Sequence, residues 1–496
     1  MTRRKVVVVG AGPGGLTAAM LLANRGYQVE VFEKQPVVGG RNAAMKLEGF
    51  TFDLGPTFLM MPNILEEMFE RTRRSVHDYL DMRPLDPLYR LIFRDGTEVR
   101  PSPDPVKMRA HIADLFPGNE AGYDRFVARE REKYSRLVPC LQVPYSSPMD
   151  FMSWRFARAL PYLDAHRDLY SYLGDYFSDD RLKTAHTFQA KYLGMSPWEC
   201  PATFSMIAYI EHSGGIHHPI GGLNAISAAM AKVVEEEGGS IHLGDEVSEI
   251  LVQGGRATGV RLGSGKEVRA DHVVLNADFA HAMNKLVGRQ HLRKWTPEAI
   301  ERKTVSCSTF MLYLGVDKLY DIPHHNIFFA ADYRHNVDEI ARHMVLSEDP
   351  SFYVQNACVT DPGLAPEGQS TLYVLVPIAN NRSGIDWERE KGRYRDKILD
   401  YLETRAGLSD LRRHIVVERM ITPRDWEESH DVYRGAVFNL GHSIGQMLIF
   451  RPHNKFEDIK GCYLVGGGTH PGSGLPTIYE SGRISAELIL REDARL

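Results

Sequence analysis

The sequence predicts an α/β fold built around a buried parallel β-sheet. The run KVVVV at 5–9 is uninterrupted and apolar, as in a strand that is covered on both faces. It leads into glycines spaced G-x-G-x-x-G, and the apolar residues that follow recur at helical intervals up to Gly26. A second strand-like run, YQVEVFEK, then ends near Glu33. Together these observations describe a complete β-α-β unit of the type that binds a dinucleotide.

The residue types in this unit match separate tasks in dinucleotide binding. Gly10 permits the tight turn after the strand, Gly12 lets a pyrophosphate approach the backbone, and Gly15 lets the helix pack close to the strand. The free amides at the helix N-terminus attract the phosphates, and the acid that ends the second strand can accept hydrogen bonds from a ribose hydroxyl. The predicted cofactor residues of this unit are Gly10, Gly12, Gly14, Gly15, Glu33 and Lys34.

A second glycine motif indicates which dinucleotide is bound. VVGGR at 37–41 resembles the FAD-binding fingerprint of the glutathione reductase and amine oxidase superfamily, in which a backbone turn and an arginine meet the pyrophosphate. No other strand is followed by G-x-G-x-x-G, so a separate NAD domain is not expected. The resemblance implies FAD as the cofactor, with contacts from Gly40, Arg41, Gly55, Pro56, Thr57, Val247 and Asn276.

Composition excludes several classes of protein. The net charge of −5 offers no electrostatic basis for nucleic-acid binding. The five cysteines lie far apart without a C-x-x-C pair, which argues against a disulfide framework and a zinc site and favours a reducing cytoplasm; no metal is predicted. No run reaches 18 apolar residues, so no membrane span is expected, although contact with a membrane surface is compatible with this pattern.

The C-terminal block carries a more specific resemblance. CYLVGGG predicts a buried strand that runs into a glycine loop, and ESGRISAELIL predicts a helix whose N-terminus lies beside that loop. The block resembles the signature of the bacterial-type phytoene desaturase family through Gly466, Gly468, Thr469, His470, Pro471, Gly472, Gly474 and Pro476. Looser matches extend the likeness from residue 5 to about 490. It implies further cofactor contacts at Gly467, Gly474, Leu475 and Pro476.

The resemblance implies a function and leaves alternatives of the same fold. The expected activity is FAD-dependent desaturation of a C30 or C40 polyene such as diapophytoene or phytoene, with oxygen or a quinone as electron acceptor. The alternatives are a polyene isomerase, saturase or terminal-methyl oxidase, an amine oxidase, and a non-enzymatic prenyl-binding escort protein of the Rab GDP-dissociation-inhibitor type. A flavin spectrum of the purified protein would separate the enzymes from the escort protein.

Desaturation needs an acceptor for a proton as well as for a hydride, and two candidates for the proton acceptor stand out. His470 lies in the glycine loop expected beside the flavin. Asp179 and Lys183 match a family segment in which an acid and a base lie one helical turn apart. The alternative interpretations are a loop histidine held by backbone hydrogen bonds and an i,i+4 ion pair on a helix surface. The flavin itself is a third possible carrier of the chemistry.

The segment FMSWRFARALPYL at 151–163 combines large apolar residues with arginines, as in interfacial anchors and in cap helices. An apolar substrate gains almost nothing on leaving lipid for a protein tunnel, so the tunnel should open onto a membrane. We therefore expect a cytoplasmic, peripherally membrane-associated protein.

The chain shows no low-complexity linker, so its domains should be interleaved. We predict a Rossmann-type FAD-binding domain of the glutathione reductase and amine oxidase kind, a mixed-sheet substrate domain and a helical cap. Their predicted segments are 1–85, 219–285 and 435–496 for FAD binding, 86–140 and 286–434 for the substrate, and 141–218 for the cap.

Overall fold

The computed structural model describes residues 3–494 of the 496-residue chain. Its strands are β1 Lys5–Val9, β2 Gln28–Glu33, β3 Ala44–Leu47, β4 Phe50–Asp53, β5 Met82–Pro84, β6 Arg90–Ile92, β7 Glu98–Val99, β8 His217–Pro219, β9 Ser240–Leu243, β10 Val247–Gln253, β11 Arg256–Leu262, β12 Glu267–Arg269, β13 His272–Leu275, β14 Ser308–Val316, β15 His325–Phe328, β16 Phe352–Asn356, β17 Ser370–Ile378, β18 Ile415–Ile421 and β19 Cys462–Leu464.

Its α-helices are α1 Pro13–Asn24, α2 Pro62–Glu70, α3 Pro105–Leu115, α4 Glu120–Leu141, α5 Trp154–Ala159, α6 Leu169–Leu173, α7 Asp180–Ala185, α8 Met206–Gly214, α9 Asn224–Glu236, α10 Phe279–Lys285, α11 Pro297–Glu301, α12 Tyr333–Asp338, α13 Trp387–Arg405, α14 Leu411–His414, α15 Pro423–Glu428 and α16 Leu475–Asp493. Within residues 3–494, no helix combines the length and the apolar character that crossing a membrane requires.

A five-stranded parallel sheet forms the predicted α/β core, in the order β19-β13-β1-β2-β9. Because side chains alternate along a strand, Val6 and Val8 pack with helices α1, α9 and α16, whereas Val7 and Val9 face the small antiparallel sheet β10-β11-β12. This two-sided burial explains the uninterrupted apolar run. The α/β prediction, with helix α1 between two parallel strands, is confirmed.

A seven-stranded mixed sheet forms the second layer, in the order β18-β14-β17-β16-β15-β6-β7. Its central strand β14 is buried at every position. One face packs on helix α13 through Phe310, Leu312 and Leu314, and the opposite face packs Met311 and Tyr313 against the hairpin of β3 and β4. Strands β6 and β7 form an antiparallel hairpin at one edge of this sheet.

Helices α3 to α8 and the turns between them form a third unit around a large aromatic core, which includes Tyr89, Phe126, Tyr172, Phe177 and Phe188. Strands from separate parts of the sequence meet in each sheet, since β6 joins β15 and β19 joins β13. The domain division stays a prediction, with segments 1–85, 86–140, 141–218, 219–285, 286–434 and 435–496.

Candidate FAD and substrate site

A cavity of about 670 Å³ lies between the two large sheets. It begins at the carboxyl ends of the parallel strands, where Val9, Glu33, Asn276 and Gly466 line it. This is the edge at which open parallel sheets bind nucleotides. From there it continues to the face of the mixed sheet that lies opposite helix α13. Every predicted cofactor residue lines the cavity except Gly14 and Gly15.

Close contacts within the protein leave no room for side chains in the first glycine motif. A Cβ atom at Gly12 would lie 2.7 Å from Nδ2 of Asn276, and one at Gly15 would overlap the carbonyl oxygen of Gly10. A Cβ atom at Gly14 would stand 3.0 Å from the amide of Gly466. Gly14 and Gly15 permit close backbone packing behind the cavity wall, and their contact with the cofactor stays a prediction.

Two helix N-termini converge on this wall. Helix α1 begins after Gly12 and helix α16 after Gly474, and neither cap residue has a side chain that could bond the free amides. The helices approach closely, since a Cβ atom at Gly482 of α16 would come within 2.6 Å of the Gly14 carbonyl oxygen. Uncapped N-termini carry partial positive charge and unpaired N–H donors, which suits a pyrophosphate and the negative charge of a reduced flavin.

Glu33 is buried at the end of β2 and accepts hydrogen bonds from the amides of Ala11, at 2.8 Å, and Gln35, at 2.9 Å. Each carboxylate oxygen has two lone pairs, so the group retains acceptor capacity toward a ribose hydroxyl. Val247 is buried and lines the same end of the cavity. Lys34 also lines the cavity, but its ammonium forms an ion pair with Asp431.

Arg41 belongs to a polar cluster that the sequence did not reveal. Its guanidinium donates to the carbonyl oxygen of Val437 at 2.8 Å and lies 3.8 Å from the carboxylate of Asp278. Burial raises the pKa of Asp278, and Arg41 opposes that rise. Asn439 joins the two when its amide nitrogen faces Asp278, at 2.7 Å, and its oxygen faces Arg41, at 3.0 Å. The cluster fixes the arginine beside the glycine turn.

Tyrosines of the mixed sheet hold the loop that precedes α2. The hydroxyl of Tyr373 donates to the carbonyl oxygen of Gly55 at 2.6 Å, and Tyr313 donates to that of Leu54. The hydroxyls of Thr57 and Tyr353 are 2.9 Å apart. The predicted flavin-side residues Gly55, Pro56 and Thr57 thus line the cavity on a loop that the second sheet orients.

A row of side chains across five strands forms the far wall of the cavity. Residues that pair directly across neighbouring strands point to the same face of a sheet. The successive pairs run from β18 to β15, and all members line the cavity: Ile421, Met311, Leu375, Tyr353 and Ile327. We call this set the cross-strand row. No sequence motif marks the cross-strand row, although the alternating pattern within TLYVLVPIA indicates the strand that contributes Leu375.

Glu211 of α8 lies in a polar pocket behind the cavity wall. Its carboxylate accepts hydrogen bonds from the hydroxyl of Tyr89 and the amide of Gln189, both at 2.9 Å. Burial raises the pKa of Glu211 to about 7, against the lowering effect of these donors. The acid is therefore partly protonated near neutral pH.

His470 lies outside the cavity wall, which corrects its predicted position at the flavin. It is fully buried, and its Nε2 lies 3.1 Å from the carbonyl oxygen of Leu141. Its ring contacts Tyr145 with centroids 5.2 Å apart. Burial lowers the pKa of His470 to about 4, so the ring is neutral at physiological pH. The residue joins the C-terminal loop to the helical unit.

Asp179 and Lys183 also lie outside the cavity wall, and they do not pair with each other. Asp179 caps α7 by accepting from the amide of Arg181 at 2.8 Å, and it pairs with the Arg181 guanidinium at 2.8 Å. The hydrogen bond from Arg181 lowers the pKa of Asp179. Lys183 pairs instead with Asp180 at 2.5 Å. The proposed acid–base pair is thus corrected to two separate ion pairs at the start of a helix.

Comparisons with known proteins agree with this architecture. A model of the flavin containing amine oxidoreductases matches residues 13–490. The chain is 51% identical over 486 residues to a 4,4'-diapophytoene desaturase (4,4'-diapolycopene-forming) of Methylomonas sp, covering 98% of this chain and 95% of that protein. It is 40% identical to an all-trans-zeta-carotene desaturase of Myxococcus xanthus, covering 99% and 94% of the two proteins. A solved structure of putrescine oxidase bound to putrescine superposes with a TM-score of 0.65 at 16% identity, covering 99% of both chains.

The fold, the glycine cradle and the helix N-termini define a flavin-dependent oxidoreductase, and the residues present fit FAD. The chain belongs to the flavin containing amine oxidoreductase family and, within it, to the bacterial-type carotenoid desaturases.

Proposed function

We propose that the protein introduces carbon–carbon double bonds into an acyclic C30 polyene of the 4,4'-diapophytoene type. One observation carries the proposal: a single cavity joins the FAD cradle to the apolar cross-strand row. FAD, when bound, supplies the two-electron oxidant that accepts a hydride. The C30 chain length rests on the Methylomonas relative, and a C40 substrate of the phytoene type is the alternative.

The charge distribution in the cavity disfavours an amine substrate. The carboxylates among its described lining residues are Glu33, Glu246, Asp278 and Asp431. Glu33 ends β2, Glu246 precedes the buried Val247, Asp278 faces Arg41, and Asp431 pairs with Lys34. All of them belong to the FAD end, so none is available to bind an ammonium group at the cross-strand row. An uncharged hydrocarbon fits this wall better.

We further propose that the protein takes its substrate directly from a membrane surface. Met149, Met152 and Trp154 are 73%, 83% and 77% exposed, which is unusual for such large apolar side chains clustered in sequence. Beneath them Phe156 packs in the same cluster as Met60, and Met60 lines the cavity. This continuity supports an entrance near the exposed segment 149–160, which we call the apolar segment.

The reduced flavin must return its electrons, and we propose oxygen or a quinone as the acceptor. A quinone dissolved in the bilayer would reach the protein by the same surface as the substrate. Anaerobic reduction with polyene, followed by addition of either oxidant, distinguishes them by the rate at which the flavin absorbance returns.

The function is tested by pigment extraction. The protein is co-expressed with a synthase that makes diapophytoene and, separately, with one that makes phytoene. We expect coloured products with extended conjugation in the C30 strain and less or none in the C40 strain. The reverse preference would overturn the C30 assignment. Colourless extracts from both strains, together with a flavin-loaded purified protein, would overturn desaturation and favour another activity of this fold.

A further inference from the structure

The geometry points to Lys191 as the group that accepts the proton during desaturation. This inference rests on the proposed function, because it assigns a role within that reaction. Lys191 follows Phe188 in the helical unit, and its side chain lines the part of the cavity bounded by Cys307, Tyr333 and Phe438.

The Lys191 amine faces two titratable groups from neighbouring elements. Its nitrogen stands 5.6 Å from the centre of the Tyr333 ring, on α12. The thiol of Cys307, which lies just before β14 and also lines the cavity, is the second, and it opposes the lowering of the Lys191 pKa. Within residues 3–494, no carboxylate forms an ion pair with this amine, unlike the buried Lys133, which pairs with Glu130 at 3.1 Å.

This surrounding makes the amine a base at physiological pH. Burial lowers the pKa of Lys191 to about 8, so a substantial fraction is neutral between pH 7 and 8. An effective general base has a pKa near the working pH. Burial shifts the pKa of Tyr333 in the opposite direction, well above neutral, and raises that of Cys307 as well. At the pH at which Lys191 loses its proton, Tyr333 and Cys307 therefore both remain protonated.

The turn that carries Lys191, Phe188–Leu193, packs against the segment that precedes the C-terminal glycine loop. The adjoining Gly194 would place a Cβ atom 2.6 Å from Ser306 and 3.2 Å from Phe438. The Phe438 carbonyl oxygen in turn accepts a hydrogen bond from Ser473, which precedes the N-cap of α16. The turn is thus linked through Phe438 to the C-terminal glycine loop, and Lys191 and Phe438 line the same cavity.

The step balances without a further reagent. One carbon of the polyene loses a hydride, for which FAD, when bound, would supply the oxidant. The adjacent carbon loses a proton to the lone pair on Nζ of Lys191, and the electrons of that C–H bond form the new double bond. Lys191 becomes an ammonium group, which must release its proton before the next cycle. An arginine cannot take this role, because it stays protonated.

The test compares Lys191→Met and Lys191→Arg with the unchanged holoenzyme. Flavin reduction by liposome-delivered polyene is followed under anaerobic conditions in a single turnover. We expect both variants to reduce flavin about 10²–10⁴-fold more slowly, the usual loss for general-base catalysis. In the unchanged protein the rate should rise with pH and level off above about 8. Recovery of the rate in Lys191→Arg would indicate a charge effect and overturn the inference.

The matched control is Lys232→Met, because Lys232 also lies over a tyrosine, at 5.3 Å from the Tyr79 ring, but is exposed at the surface. Flavin content and melting temperature verify that each variant folds.

A second readout does not require turnover. Reductive ¹³C-methylation labels the lysines and the N-terminal amine, which titrates near pH 8 in any protein. NMR titration of the holoenzyme should show one lysine signal that also titrates near pH 8 and is absent from Lys191→Arg, whereas ordinary lysines titrate near 10.4. If every lysine signal titrates above pH 10, or if the reduction rate is flat from pH 6.5 to 9.5, the assignment of Lys191 fails. If the unchanged enzyme forms no desaturated product although this amine is found, the proposed function fails instead.

Discussion

Glu211 is a carboxylic acid whose burial favours its protonated form. Its pKa rises from 4.5 in an exposed chain to about 7 in the folded protein. The folded state therefore binds more protons than the unfolded state between these pH values, and stability falls as the pH rises through that window. Above pH 7 the full penalty is present, with an upper limit of about 3 kcal/mol.

Replacement Glu211→Gln removes this charge and should make the protein more stable than the parent at pH 8. The two proteins should be close to equal at pH 4.5, and the difference in unfolding free energy should grow up to pH 7. Urea unfolding at several pH values measures it. Glu235→Gln, at an exposed position of α9, is the control and should show no such trend. A constant difference at all pH values would contradict the raised pKa.

Gly12→Val tests the bareness of the first glycine turn. The new side chain would meet Nδ2 of Asn276, whose amide also donates to the Gly10 carbonyl oxygen at 3.2 Å. We expect a colourless protein with reduced stability, measured by the ratio of flavin to protein absorbance and by thermal unfolding. Gly392→Val in α13 is the control, since a Cβ atom there meets open space. Full flavin content in Gly12→Val would show that FAD binding does not need the close backbone approach at Gly12.

At the scale of elements, Arg451 organises the C-terminal glycine loop. The side chain is fully buried and donates hydrogen bonds to the carbonyl oxygens of Gly467 at 2.6 Å, Thr469 at 3.0 Å and Gly441 at 3.1 Å. These acceptors lie on two segments, so the guanidinium joins them. A planar fork of donors suits this task better than a lysine.

Arg451→Met should leave those buried carbonyl oxygens without donors and disorder the loop before α16. Each lost charged hydrogen bond contributes about 1.5–3 kcal/mol, so we expect a loss of several kcal/mol in stability and at least a tenfold weaker FAD affinity. Flavin fluorescence titration measures the affinity. Arg413→Met, at a side chain that is 83% exposed, should change neither quantity. Unaltered FAD affinity in Arg451→Met would show that the loop forms without it.

Elements defined by short-range patterns were predictable, and those defined by distant pairing were not. The β-α-β unit and the C-terminal strand and helix follow from local periodicity and glycine spacing. Asp179 and Lys183 do not pair because the Asp179 carboxylate caps α7 and bonds Arg181 instead. The cross-strand row depends on the register of strands that are distant in sequence, such as β14 and β17, which no local pattern specifies.

At the scale of the whole molecule, one cavity joins the glycine motifs, the mixed sheet and the helical unit, which are far apart in the sequence. The glycine motifs predicted its FAD end because phosphate binding constrains residue type and spacing. Lys191 and Glu211 escaped prediction because a single charged residue in a helical segment shows burial only after the fold is known. The position of His470, predicted from its neighbouring glycines, was wrong because the loop turns this side chain toward Leu141.

The apolar segment should determine membrane binding of the whole protein. Met152→Asp combined with Trp154→Asp places two charges at side chains that are 83% and 77% exposed. We expect at least a tenfold loss of liposome binding in sedimentation, with flavin content and melting temperature unchanged. Leu319→Asp is the control, because Leu319 is 62% exposed and follows β14 in a different part of the fold. Equal losses in the control would indicate a general charge effect.

The cross-strand row also works as a ruler. Neighbouring strands in a sheet lie about 4.8 Å apart, so the steps from Ile421 to Ile327 measure about 19 Å along the wall. A bulkier or smaller side chain at one position of the cross-strand row would stop an extended chain one strand earlier or later. This would change which carbons of the substrate lie opposite the flavin. Related proteins that differ by single substitutions in this row would then make different numbers of double bonds per substrate, while their FAD-binding residues stay the same.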